Sequence, residues 1–171
     1  MPRVVLWQPQ IPPNTGNVAR TCAATGSELH LIEPLGFQID DRQLRRAGLD
    51  YWPWVQLHRH GDETAFLENC RRQGGRLVAL SSHASMAYTD FAFCANDWLL
   101  FGQETDGLPA HLLAQADRAL TIPMAQKAQP GQGGVRSLNL SVAVAVVLFE
   151  SLRQIQLQQG NSEQEIDRDQ D

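Results

Sequence analysis

Five short apolar runs recur along the chain: Val4–Leu6, Leu29–Ile32, Leu77–Leu80, Trp98–Phe101 and Ala119–Ile122. They are mostly apolar throughout instead of alternating with polar residues, and the last three are bounded by polar or turn residues. A strand needs uninterrupted apolarity when both of its faces are covered, the situation of a parallel sheet flanked by helices. Segments with helical spacing separate the runs. Val18, Cys22 and Ala23 recur before a stop at Gly26, with Asn14 or Thr15 able to cap, and Glu63–Gln73 ends at Gly74-Gly75. A short helix is expected over Asp40–Ala47, a further strand over Val55–Leu57, and a last helix from Ser137 to about Gln158. The alternation predicts an α/β domain with a mainly parallel sheet and helices on both faces. A length of 171 residues, 43% apolar, suits a single such domain, expected over 1–159.

Charge and cysteine content exclude several classes. The net charge is −5, of which −4 falls in 160–171, where five carboxylates face Arg168 alone, so that segment is expected to be a disordered acidic tail. The body is then close to neutral, without the general basic field of many nucleic-acid binders. Arg42, Arg45 and Arg46, and Arg59 between two histidines, offer local phosphate contacts or, equally, solvated faces. Cys22, Cys70 and Cys94 are too widely spaced for a metal knuckle and odd in number, so reduced thiols and no metal are expected. The first residues lack the pattern of a secretory signal, and the apolar stretch Leu138–Leu152 is short for a bilayer, so a cytoplasmic protein without a membrane span is expected.

In an open parallel sheet, ligands bind beyond the carboxyl ends of the strands. After Trp98–Phe101 comes Gly102-Gln103-Glu104-Thr105-Asp106-Gly107-Leu108-Pro109, with two glycines that allow close backbone approach, carboxylates between them, and a proline suited to open a helix. After Ile122 a glycine-rich insert, 125–134, leads to Val135-Arg136-Ser137-Leu138-Asn139-Leu140-Ser141. Ser137 can serve as a helix cap, whereas the amide of Asn139, in the first turn of a core-facing helix, requires a backbone or ligand partner. Near the amino terminus, Asn17 and Arg20 share one helix face, and Arg20 carries a rigid fork suited to phosphate or carboxylate. Gly131-Gln132-Gly133-Gly134-Val135-Arg136 approaches a dinucleotide-binding fingerprint, but its last glycine is replaced and it does not follow the first strand.

These three elements, together with Ile11-Pro12-Pro13-Asn14-Thr15-Gly16-Asn17, His30–Phe37 and Leu44–Tyr51, resemble the SPOUT superfamily of trefoil-knotted RNA methyltransferases. Within it the chain is similar to the TrmH branch, and there to the subgroup that methylates the ribose of the wobble cytidine or uridine of leucine tRNAs. The likeness runs from about Val4 to Glu150. It implies a carboxyl-terminal trefoil knot, S-adenosylmethionine as methyl donor, tRNA as substrate and a homodimer. By motif, the cofactor contacts fall on Leu80, Gly102, Ile122, Ser137 and Leu138, and the catalytic and substrate positions on Arg20, Asn14, Glu104, Ser137 and Asn139. An arginine keeps its proton at working pH, so Arg20 is expected to act through its charge on the ribose hydroxyl, and Glu104 through its charge near the sulfonium. The longer insert 125–134, Asp106 and Val142 depart from that subgroup and leave its substrate less firmly implied than its reaction. The other class of function compatible with the resemblance is a catalytically silent module of the same fold that binds RNA or a protein partner.

Overall fold

The structure, a computed structural model, describes residues 1–38, 51–125, 134–135 and 137–168, with side chains as far as 160. Seven strands form one sheet: β1 (Arg3–Trp7), β2 (Leu29–Ile32), β3 (Leu57–His60), β4 (Leu77–Leu80), β5 (Met86–Ala87), β6 (Trp98–Phe101) and β7 (Arg118–Thr121). Their order is β3-β2-β1-β6-β4-β7-β5, and every pair is parallel. The helices are α1 (Pro12–Thr25), α2 (Glu63–Gln73), α3 (Ala110–Leu113) and α4 (Leu140–Arg168).

The α/β architecture follows from how the strands divide their side chains. Val4, Leu6, Leu29, Leu31, Val78, Leu99, Phe101 and Leu120 face a core shared with Val18, Ala19 and Cys22 of α1 and Val144, Val147 and Leu148 of α4. On the opposite face Val5, Ile32, Ala79, Trp98 and Leu100 pack with Phe66, Leu67 and Cys70 of α2 and Leu112 of α3. Burying a large aliphatic side chain contributes about 1.5–3 kcal/mol, so apolarity on both faces is what holds the central strands in place. Cys22 and Cys70 belong to these two cores, and burial pushes their thiols up to about 12 and about 11. All three cysteines are free, and Cys94 is exposed.

Several boundaries differ from those read in the sequence. Helix α1 begins at Pro12, two residues before the expected cap, with proline in its first turn where a missing N–H costs nothing. The strand expected at Val55–Leu57 lies at Leu57–His60, after a 3₁₀ turn at Trp52–Trp54. As an edge strand it exposes Arg59, so it lacks the apolar signature of its neighbours. The last helix starts at Leu140 and not at Ser137, and its backbone runs past Gln158 to Arg168, through most of the segment expected to be a disordered tail. The helix expected over Asp40–Ala47, the arginines at 42, 45 and 46, and most of the insert 125–134 lie outside the described residues.

Within Leu140–Gly160 an 18-residue window has a mean hydropathy of 1.5, so by length and composition alone this helix could cross a membrane, in contrast to the expectation that Leu138–Leu152 is too short. Its composition has a local cause, because the inner side is used by the sheet while Val142, Phe149 and Leu157 face outward.

Candidate active site

All strands point the same way, so the segments leaving β4, β6 and β7 converge at one end of the sheet. There they enclose a cavity of about 800 Å³ together with the segment entering α4 and the start of α1. That is within the usual range for small-molecule sites, about 300–1,000 Å³. Leu80, Gly102, Ile122, Ser137 and Leu138, the five expected cofactor positions, all line it, as do Asn14, Glu104 and Asn139.

Gly102 shows why its side-chain position is empty. The loop after β6 closes on itself through reciprocal bonds, Gln103 N donating to Gly107 O and Gly107 N donating to Gln103 O, both at 3.1 Å. This closure brings Gly107 and Leu108 back over Gly102, where a Cβ would stand 2.1 Å from the Gly107 carbonyl carbon and 2.4 Å from the Leu108 nitrogen. Gly107 itself turns the chain with a φ of +70°. The backbone can therefore form the cavity wall directly.

Glu104 stands on the same loop, and its carboxylate is turned to the entry of α1. One oxygen accepts from Gln10 N at 2.9 Å, the other from Ile11 N at 3.2 Å and from Asn14 Nδ2 at 3.1 Å. Helix α1 has no side-chain cap of its own, and a carboxylate at its amino end is favoured by both the unpaired N–H groups and the helix dipole. Asn14, buried, passes the connection on: its Oδ1 accepts from Asn139 Nδ2 at 2.9 Å. Asn139 Oδ1 then accepts from the backbone N and the Oγ of Ser141, at 2.9 and 2.8 Å, so Asn139 caps α4 and answers the question its buried-looking position raised. Ser137, the cap expected from the sequence, lies outside the helix and is exposed. Three loops distant in sequence are thereby latched together through Glu104, Asn14 and Asn139. Glu104 is thus a latch between loops, and its charge lies in the cavity wall, where the expected electrostatic role would place it.

Arg20 is the expected site residue that does not line this cavity. It lies six residues beyond Asn14, about 9 Å along the helix axis and about 120° round it, and is exposed. Its guanidinium sits 5.4 Å from the centre of the Tyr51 ring, and the Tyr51 hydroxyl donates to Gly16 O at 2.7 Å, anchoring that ring to α1. Burial pushes the Tyr51 hydroxyl up from its ordinary range, with Arg20 opposing, and the group stays a donor. Tyr51 ends the Leu44–Tyr51 motif of the resemblance, but its contact with α1 is made across 35 residues and is not legible in the sequence. Arg59, considered for phosphate contact, is paired with Glu33 through its Nε at 2.9 Å.

Comparison with known proteins agrees with this geometry. The profile of the SpoU rRNA methylase family matches residues 1–149. A Yersinia pestis protein named tRNA (cytidine(34)-2'-O)-methyltransferase is 48% identical over 160 residues, spanning 91% of this chain and 94% of its own. A solved structure described as giving insight into the 2-OH methylation of C/U34 on tRNA superposes with a TM-score of 0.82 at 49% identity, covering 90% of this chain and 95% of that one. The SpoU methyltransferase AviRb from Streptomyces viridochromogenes, solved with the cofactor AdoMet, superposes with a TM-score of 0.76 at 26% identity, over 90% of this chain and 57% of its own. With a seven-stranded parallel sheet, a cavity at its carboxyl end and a profile match over almost the whole body, the chain belongs to the SpoU rRNA methylase family.

Proposed function

We propose that this chain transfers a methyl group from S-adenosylmethionine to the 2'-hydroxyl of the wobble cytidine or uridine of a tRNA. Leucine isoacceptors are the substrate class, and the enzyme acts in the cytoplasm, as a homodimer, through one knotted catalytic domain spanning 1–159. The observation that carries the reading is the cavity at the carboxyl ends of β4, β6 and β7, walled by backbone at Gly102 and latched by Glu104, Asn14 and Asn139.

When bound, S-adenosylmethionine supplies an electrophilic methyl on a sulfonium. Leu80, Gly102, Ile122, Ser137 and Leu138 would hold it, with Gly102 giving the close approach that any side chain would block. Leu80, Ile122 and Leu138 would pack on its apolar part, and the carboxylate of Glu104 would add a favourable charge to the wall. The latch fixes the loops before substrate arrives, so little ordering is left to accompany binding. Ser137 and Asn139 stand at the cavity mouth, where they can orient the ribose. Arg20 favours loss of the hydroxyl proton to solvent by placing a fixed positive charge near the developing oxyanion, and its fork can hold a substrate phosphate. As Arg20 lies outside the cavity, the RNA must lie across α1 for both contacts to be made at once.

The outer side of α4 supports the homodimer. Val142, Phe149 and Leu157 are 46%, 56% and 56% exposed and share one side of that helix, a stripe that a two-fold partner can bury against itself. Light scattering is expected to give twice the chain mass of 19.0 kDa, and Phe149→Asp to shift it toward the monomer. The functional reading is tested by calorimetry with S-adenosylmethionine, expected to show one saturable site per chain. A chain that binds tRNA but not S-adenosylmethionine would instead be a silent RNA-binding module.

A further inference from the structure

The parallel pairing of β2 with β3 sets His30 opposite His58 and Ile32 opposite His60. Side chains alternate along a strand, so Glu28 and His30 share a face with His58 and His60. The rings of His30 and His58 are stacked at 4.5 Å, and those of His30 and His60 at 5.2 Å. Glu28 Oε2 lies 3.1 Å from His30 Nε2 and 3.7 Å from His58 Nε2, and the three atoms fall within 4.8 Å of one another. Glu28 immediately precedes β2, so this cluster sits toward the amino ends of the strands, away from the cavity described above.

We propose that Glu28, His30 and His58 form a binding site for a divalent first-row transition ion, with Zn²⁺ the expected occupant, that ties the edge strand β3 to β2. Zinc takes imidazole nitrogen and carboxylate oxygen at about 2.0–2.2 Å, and tetrahedral angles then separate neighbouring ligand atoms by about 3.3 Å. The observed separations of 3.1 and 3.7 Å bracket that spacing. The remaining His30 to His58 separation closes by rotation of His58, whose side chain is 50% exposed, while His30 is fixed by burial.

A ligating histidine is normally oriented through its other ring nitrogen, and His30 Nδ1 has His60 Nε2 at 2.9 Å for that purpose. In the metal-free tautomer His30 donates from Nε2 to Glu28 and accepts from His60 at Nδ1; an ion at Nε2 reverses the second bond, so His30 donates to His60. Two imidazoles select against Mg²⁺ and Ca²⁺, which prefer all-oxygen shells. A cavity of about 440 Å³ lined in part by Arg3, Gly26 and Glu28 gives solvent a path to the carboxylate. Arg3, with Nε 3.5 Å from Glu28 Oε2, opposes the added charge, so the affinity is expected to fall below that of a dedicated structural zinc site, in the micromolar range.

The test is calorimetry of the full chain with zinc chloride, alongside thermal melting with and without chelator. One saturable zinc per chain is expected, with a higher melting temperature in zinc and no heat from magnesium. Glu28→Gln, which keeps size and polarity, and His58→Ala, at a half-exposed position, should each remove the site, and His60→Ala should weaken it by about 10–100-fold. His111→Ala removes a histidine that also sits 2.9 Å from a carboxylate, that of Glu63, and should leave zinc binding unchanged. S-adenosylmethionine binding should be the same in all of these variants. Absence of saturable binding at micromolar zinc, or binding that survives Glu28→Gln and His58→Ala, overturns the proposal.

Discussion

Changing Gly102 to valine is expected to abolish S-adenosylmethionine binding, a loss of about 100-fold or more, equivalent to about 2.7 kcal/mol. The cause is local. A Cβ at this position would overlap the backbone of Gly107 and Leu108, at 2.1 and 2.4 Å, and backbone cannot swing aside as the end of a flexible side chain can. The loop would have to break the two bonds between Gln103 and Gly107, and Glu104, which rides on it, would be pulled from Gln10, Ile11 and Asn14. Gly107→Ala is the informative comparison. Gly107 has open space around its missing Cβ, so there only the positive φ of +70° is penalised, at about 1–2 kcal/mol. Calorimetry should therefore find measurable binding in Gly107→Ala and none in Gly102→Val, with both variants retaining their circular dichroism spectra. Normal binding by Gly102→Val would remove this loop from the cofactor site.

Arg20→Ala should separate binding from chemistry. Arg20 does not line the cavity, so S-adenosylmethionine affinity should stay at the wild-type value. Methyl transfer to tRNA should fall by about 10²–10³-fold, the usual cost of removing one group that stabilises a developing oxyanion. Arg20→Lys keeps the charge but loses the planar fork, and is expected to recover part of the rate if charge on the hydroxyl dominates and little of it if phosphate clamping dominates. A single-turnover assay with saturating tRNA reads this directly. An Arg20→Ala enzyme that transfers methyl at the wild-type rate would exclude the role assigned to Arg20.

How much of this was legible before folding depends on where each residue's partners lie. Leu29–Ile32, Leu77–Leu80 and Trp98–Phe101 were read with their observed bounds because strands buried on both faces announce themselves in composition alone. The edge strand β3 was displaced, since His58, Arg59 and His60 carry no such signature, and the two-residue β5 is too short to have one. The loops around the cavity were legible as motifs, and eight of the nine expected positions do line it. Their interactions were not. Glu104 meets Gln10 across 94 residues and Asn139 meets Asn14 across 125, separations that no local pattern encodes. The same holds for Glu28, His30 and His58, whose spacing in the chain resembles no metal motif until the register of β2 and β3 brings them together.

The most direct measurement is transfer of labelled methyl from S-adenosylmethionine to total tRNA, followed by nuclease digestion and mapping of the modified nucleoside. A single 2'-O-methylated cytidine or uridine is expected at the wobble position, concentrated in leucine isoacceptors and absent with the Gly102→Val enzyme. Label on a base instead of a ribose, at another tRNA position, or absent from tRNA despite S-adenosylmethionine binding would contradict it.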